Sequence, residues 1–200
     1  MAEVVDPGGR LALIQSLGLL SLARCVPLLH SAHFQLVDHV VDLVEVGPVV
    51  WNDVMWPTET LPLESHFKRY LDNVDWQETG LPHVQNHTIQ LAHAMCDPQL
   101  ESESAELAFR VSSTEVWAAC DWITERSDGC NEPIFARLKT TLLGVEFEWQ
   151  AADGRALIGA GLNERSYRDR MLCIKAPERY ALRTQIAEAI VRLSSRAGVE

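Results

Sequence analysis

The sequence holds no Cys-x-x-Cys pair, and its five cysteines (Cys25, Cys96, Cys120, Cys130, Cys173) are odd in number and widely spaced. That pattern argues against a disulfide framework or a zinc ribbon, and it predicts a reducing, cytoplasmic setting with each thiol packed as a small apolar side chain. Basic residues are scarce as well. Lys and Arg total 17 against 28 Asp and Glu, a net charge of −11. A nucleic-acid partner is therefore not expected, because the phosphate backbone rewards clustered positive charge. Also missing is an unbroken apolar run long enough to cross a bilayer. The nearest approach, Leu11 to Leu29, is interrupted by Gln15, Ser16, Arg24 and Pro27, and Glu3 and Asp6 precede it where a signal peptide would carry positive charge. It reads as a buried core helix, and no membrane partner is expected.

Catalytic signatures are equally sparse. There is no Gly-x-Ser-x-Gly elbow and no Gly-Lys-Ser/Thr phosphate loop, and Gly159 to Glu164 (GAGLNE) places an acid where a dinucleotide loop needs its third glycine. Acidic pairs such as Glu101 with Glu103, or Asp53 with Glu59, are what chance supplies in so acidic a chain.

What is present is the composition of a folded protein, 47% apolar and 22% charged over 200 residues. The fold class expected is mainly α, with an α+β end. Residues 1–143 read as a helical body of successive amphipathic segments, punctuated by Gly47-Pro48, Pro82, Asp97-Pro98 and Pro133. Ser112 to Glu115 fits a capping box, which predicts that one helix ends and another restarts there. From residue 144 the pattern changes: GVEFEW alternates, AADGR offers turn chemistry and ALIGAGL suits a returning strand. Residues 144–200 thus read as a small β-hairpin or sheet element, a further short strand at Met171 to Ile174, and a C-terminal amphipathic helix opening at Pro177. The charge divides in the same region. Residues 1–161 hold 9 basic and 23 acidic side chains, whereas 162–200 hold 8 and 5, so Arg165, Arg168, Arg170, Arg179 and Arg183 form a basic segment suited to docking on the acidic body.

All seven histidines lie between residues 30 and 93. In HVQNHTIQLAH, His83, His87 and His93 repeat the spacing of the zinc-protease signature HExxHxxGxxH. His83 and His87 stand one helical turn apart and are candidate metal ligands, for zinc or iron. His93 lies about 120° around a straight helix from His87 at 100° per residue. The glycine that would turn the chain is Gln90, and the catalytic glutamate is Val84, so the protease chemistry is absent. A third ligand would have to come from another helix, with His66, His30, His33 or Asp38 as candidates. The segment HVQNH also resembles the metal-binding four-helix bundles of the DinB type over about five residues. In those proteins a histidine follows four residues on, where this chain has Leu91, and no residue role is carried over.

Tryptophan supplies the other functional pattern. Trp51 and Trp56 bracket Asn52-Asp53 in an irregular segment with Glu59, and Trp76 lies beside Asp75. Aromatic anchors rimmed by carboxylates suit a protein or peptide interface. Trp51, Asp53, Trp56, Glu59 and Trp76 are accordingly the partner-binding residues expected from sequence. The function expected is protein binding, as an inhibitor or immunity-type protein or an accessory subunit, with no cofactor and no catalytic residue. The alternative is a metal-dependent enzyme built as a helical bundle on His83 and His87.

Overall fold

The computed structural model describes residues 7–48, 60–97, 100–127, 132–138 and 140–196, and every regular element among them is helical. The helices are α1 (Pro7–Ser31), α2 (Val37–Val46), α3 (Thr60–Leu71), α4 (Leu81–Cys96), α5 (Ser102–Arg126), α6 (Leu142–Gly159), α7 (Glu164–Lys175) and α8 (Pro177–Arg196), with a 3-10 turn at Phe135–Arg137.

α1 is the axis of the bundle and packs against α2, α4, α5, α6, α7 and α8. This explains why it is apolar on nearly every side, since a helix surrounded by others has no solvent face. By length and composition Gly9–Ser31 would pass for a membrane span, yet 83% of its most apolar window is buried among the other helices. Pro27 lies inside the helix without ending it. His33 (φ 51) follows it in a left-handed turn, and α2 begins at Val37. α4 crosses α1 at Gly18, where a Cβ would stand 2.2 Å from Met95 Sδ, so only glycine permits that approach without moving Met95.

Two expectations are corrected. The first concerns the restart at Ser112. α5 runs unbroken through it, and both Ser112 and Ser113 are buried in its middle. Ser112 donates to Gln90 on α4 and Ser113 accepts from Gln150 on α6, so the hydroxyls serve neighbouring helices rather than a helix end.

The second concerns the β element. No strand exists among the described residues, and GVEFEW, AADGR and the first four residues of ALIGAGL, through Gly159, lie in the single helix α6. Thr141 caps it by accepting from Gly144 N at 3.1 Å. The turn chemistry falls later: Gly161 (φ +80) and Asn163, which exchanges capping-box bonds with Ser166, end α6 and launch α7. α7 also absorbs Met171 to Ile174. The segment read as strand because its buried face is polar. Glu146, Trp149, Gln150 and Asp153 follow helical spacing, Glu146 and Asp153 being buried, while Phe147 and Ile158 point outward, half exposed. α8 is the amphipathic helix expected, burying Ile186, Ala189, Ile190 and Leu193, while Leu182, which the same stripe would include, is 40% exposed.

Candidate metal centre and a buried ion network

Gly80 (φ 72) and Pro82 start α4 immediately before the histidine segment. His83 and His87 then project from successive turns, with ring centroids 4.4 Å apart. α5 lies alongside in an extensive helix pair and brings Glu115 to the same place. Its Oε2 is 3.2 Å from His83 Nε2. One ligand atom from each of His83, His87 and Glu115 lies within 4.8 Å of the others. The indole of Trp76 closes one side, edge-on to His87 with centroids 5.5 Å apart.

The electrostatics favour neutral imidazole at His87. Burial, and then the nearby His83, lower its pKa below the usual 6.5, outweighing the opposing pull of Glu115. Its Nδ1 is shut away from solvent with no hydrogen-bond partner. A buried ring nitrogen without a partner is uncommon, because it forgoes water and gains nothing in exchange. An ion would resolve that deficit.

The third ligand-type side chain of this group is Glu115, and none of the candidates proposed from sequence takes that place. His66 instead pairs with His39, at 4.4 Å between centroids, and His30 lines a separate cleft beside Glu45. His93 is not in the group, as its angular position predicts, although its Nε2 is also buried without a partner. The signal that would have found Glu115 was present but read as a helix cap. Of the expected partner-binding residues, Trp51, Asp53, Trp56 and Glu59 lie outside the described residues. Trp76 is described, 46% exposed, and packs on His87. Ser65 and Lys68 have Ser-x-x-Lys spacing, yet both are exposed on α3, without the desolvated surroundings a serine–lysine catalytic pair needs.

A second constellation lies in the other half of the bundle. Arg24 on α1 is 2% exposed and meets two carboxylates of α6. Its Nε and Nη2 donate to the two oxygens of Glu146 at 2.8 Å each, and its Nη1 donates to Asp153 Oδ2 at 2.6 Å. Ser21 and Gln150 also donate to Glu146, at 2.8 Å and 3.0 Å. From α7, Arg170 forks onto Asp153 Oδ1, its Nε at 2.8 Å. The basic segment thus docks on the body through Arg170, whereas Arg168 pairs within its own helix with Glu164. A paired charge tolerates burial only when its remaining donors and acceptors are also satisfied, and here each carboxylate accepts at least two bonds.

No protein-family model matches this chain, and neither curated proteins nor solved structures give a match.

Proposed function

We propose that the protein is a metal-dependent helical bundle that holds one divalent transition ion, zinc or ferrous iron, between α4 and α5 on His83, His87 and Glu115. The observation that carries this reading is the convergence of three ligand-type side chains from two helices within 4.8 Å. Two histidines and one carboxylate are a ligand set shared by zinc hydrolases and by non-haem iron sites, and both leave a coordination position for water or substrate. The half-exposed Glu115 carboxylate gives that position access to solvent. An ion bound there would supply Lewis-acid chemistry. Of the chain's own groups, His83 and His87 would anchor it, Glu115 would balance its charge, and Trp76 would shield one flank.

A polar cleft of about 610 Å³ lined by His66, Arg69, Tyr70, Asp75, Glu78 and Asn86 lies beside the same stretch of α4 and offers room for a substrate. The protein-binding reading is second, because Trp76, its one described residue, is accounted for by its packing on His87.

The test is metal content. Protein purified without a histidine tag after growth with zinc and iron is expected to carry close to one equivalent of one ion, by plasma mass spectrometry. His87→Ala and Glu115→Gln are expected to lose it and His93→Ala to keep it. A folded protein with no metal, even after dialysis against zinc, would end this reading.

A further inference from the structure

Beside the buried ion network, α6, α7 and α8, with Arg24 of α1, border a solvent-open cavity of about 450 Å³ whose walls include Arg24, Trp149, Asp153, Arg170, Arg179 and Arg183. Four guanidinium groups gather here in a chain whose net charge is −11. Glu146 and Asp153 are the carboxylates among them, and both are engaged by Arg24, with Arg170 sharing Asp153. Arg179 and Arg183 have no carboxylate partner among the described residues. The formal balance of these six groups is +2.

Arg183 is the least satisfied of these charges. Its side chain is buried, the residue being 6% exposed. Nη1 donates to the Ile174 carbonyl at 2.6 Å, but Nε is shut in without an acceptor. Burial, and then the like charge of Arg24, lower its pKa to about 10. Desolvating an arginine without a counter-charge is expensive, and the Trp149 ring 4.9 Å from its guanidinium offsets only part of that cost. Arg24 approaches the same indole at 5.9 Å. The cavity thus combines a net positive charge, planar donor forks and a flat aromatic wall.

From this arrangement we infer that the cavity between α6, α7 and α8 is a binding site for a small organic phosphate monoester, held by Arg179 and Arg183 with Trp149 against its organic part. A phosphate monoester carries a charge of about −1.5 to −2 at neutral pH and three acceptor oxygens, which matches the surplus charge and the forked donors. The volume falls in the ordinary range for small-molecule sites and exceeds what a bare oxyanion fills. This site shares no residue with the metal centre on α4 and α5 and stands or falls independently of it.

The experiment is isothermal titration of the full chain with phenyl phosphate at constant ionic strength, alongside inorganic phosphate and succinate. Saturable one-to-one binding is expected, tighter for phenyl phosphate than for inorganic phosphate. Arg179→Gln, a change at an exposed side chain that the fold tolerates, is expected to weaken it at least tenfold, and Arg183→Lys to weaken it similarly while keeping a buried positive charge. Arg196→Gln removes one positive charge outside the cavity, where Arg196 faces Glu132, and is expected to change nothing. Absence of saturable binding, tighter binding of succinate than of phenyl phosphate, or equal losses in Arg179→Gln and Arg196→Gln would each overturn the assignment.

Discussion

Arg24 grips Glu146 with two parallel hydrogen bonds of 2.8 Å, and both side chains are 1% exposed. The pair joins the central helix to α6 through the middle of the bundle. Breaking it from one side strands a charge in the interior. Glu146→Gln is expected to cost about 3–5 kcal/mol, the usual cost of unpairing a buried ion. For a chain of this size that is a fall in melting temperature of roughly 6–20 °C. Replacing both partners together, as Arg24→Met with Glu146→Leu, is expected to cost less than Arg24→Met and Glu146→Leu added together, because neither of the two charges is stranded and Asp153, which also loses Arg24, keeps Arg170. Thermal melts of the four proteins followed by circular dichroism check this. A double variant whose loss equals the sum would mean the pair is not coupled.

Acid is expected to expel the metal through His87. The folded protein holds this imidazole below its ordinary pKa of 6.5, so the ring is neutral and free to ligate at pH 7. The unfolded chain binds the proton more tightly than the folded one. Stability is therefore full above about pH 6.5 and declines as the pH drops from there toward the lowered folded value. Metal binding falls over the same range, because the ligand must be deprotonated. Zinc affinity measured from pH 8 to pH 5 is expected to drop most steeply below 6.5 in the native protein. With His87→Ala, zinc affinity is expected to be low throughout the range, and what remains to fall less steeply, since only His83 is left as an imidazole ligand.

Tyr167 ties α7 to α2. Its hydroxyl donates to the Val44 carbonyl at 2.8 Å from a side chain that is 3% exposed, and its ring covers Gly47, whose φ of +79 ends α2. Tyr167→Phe keeps the packing and removes the donor. It is expected to cost about 1–2 kcal/mol, the net value of one buried bond plus a carbonyl left wanting. Gly47→Ala is expected to be at least as harmful, since a Cβ would sit 3.2 Å from the Tyr167 ring on a backbone that disfavours it. Urea denaturation of both variants measures the two effects.

The helical body was legible in the sequence because its inward residues are apolar. Leu11 to Leu29 declared itself by being apolar on nearly every side, and the His83 segment and the closing stripe of Ile186, Ile190 and Leu193 by their periods. α6 was not legible because only its two ends bury apolar side chains, Leu142 and Leu157, while between them its inward residues are Glu146, Gln150 and Asp153, whose period is visible only once Arg24 is known to lie opposite them. Hydrophobic patterning reports burial against apolar neighbours and is silent when one helix buries charge against another. The metal group was half legible for a related reason. Two ligands one turn apart on a single helix show themselves in the sequence, but Glu115 lies 28 positions beyond His87, and its place beside His83 depends on how α5 packs on α4. The capping-box motif at Ser112 to Glu115 was chemically plausible, and tertiary partners claimed both its serine and its glutamate.

The start of α6 depends on α5 as much as on its own cap. Asp121, from the second-last turn of α5, accepts from the backbone N–H of Leu142 at 2.7 Å with one carboxylate oxygen and from that of Leu143 at 3.0 Å with the other. Two of the donors that every helix leaves open at its beginning are thereby satisfied, and the negative charge opposes the positive end of the helix dipole. Asp121→Ala is expected to cost about 1–2 kcal/mol, at the upper end for a capping residue because two donors lose their partner. Asp121→Asn keeps one acceptor oxygen and removes the charge, so it is expected to recover about half of that. The first turn of α6 stands just before Glu146, so its amides should also exchange hydrogen faster in Asp121→Ala, which mass spectrometry can read peptide by peptide. Exchange unchanged over residues 142–146 would mean that packing alone, rather than the carboxylate, holds the helix start.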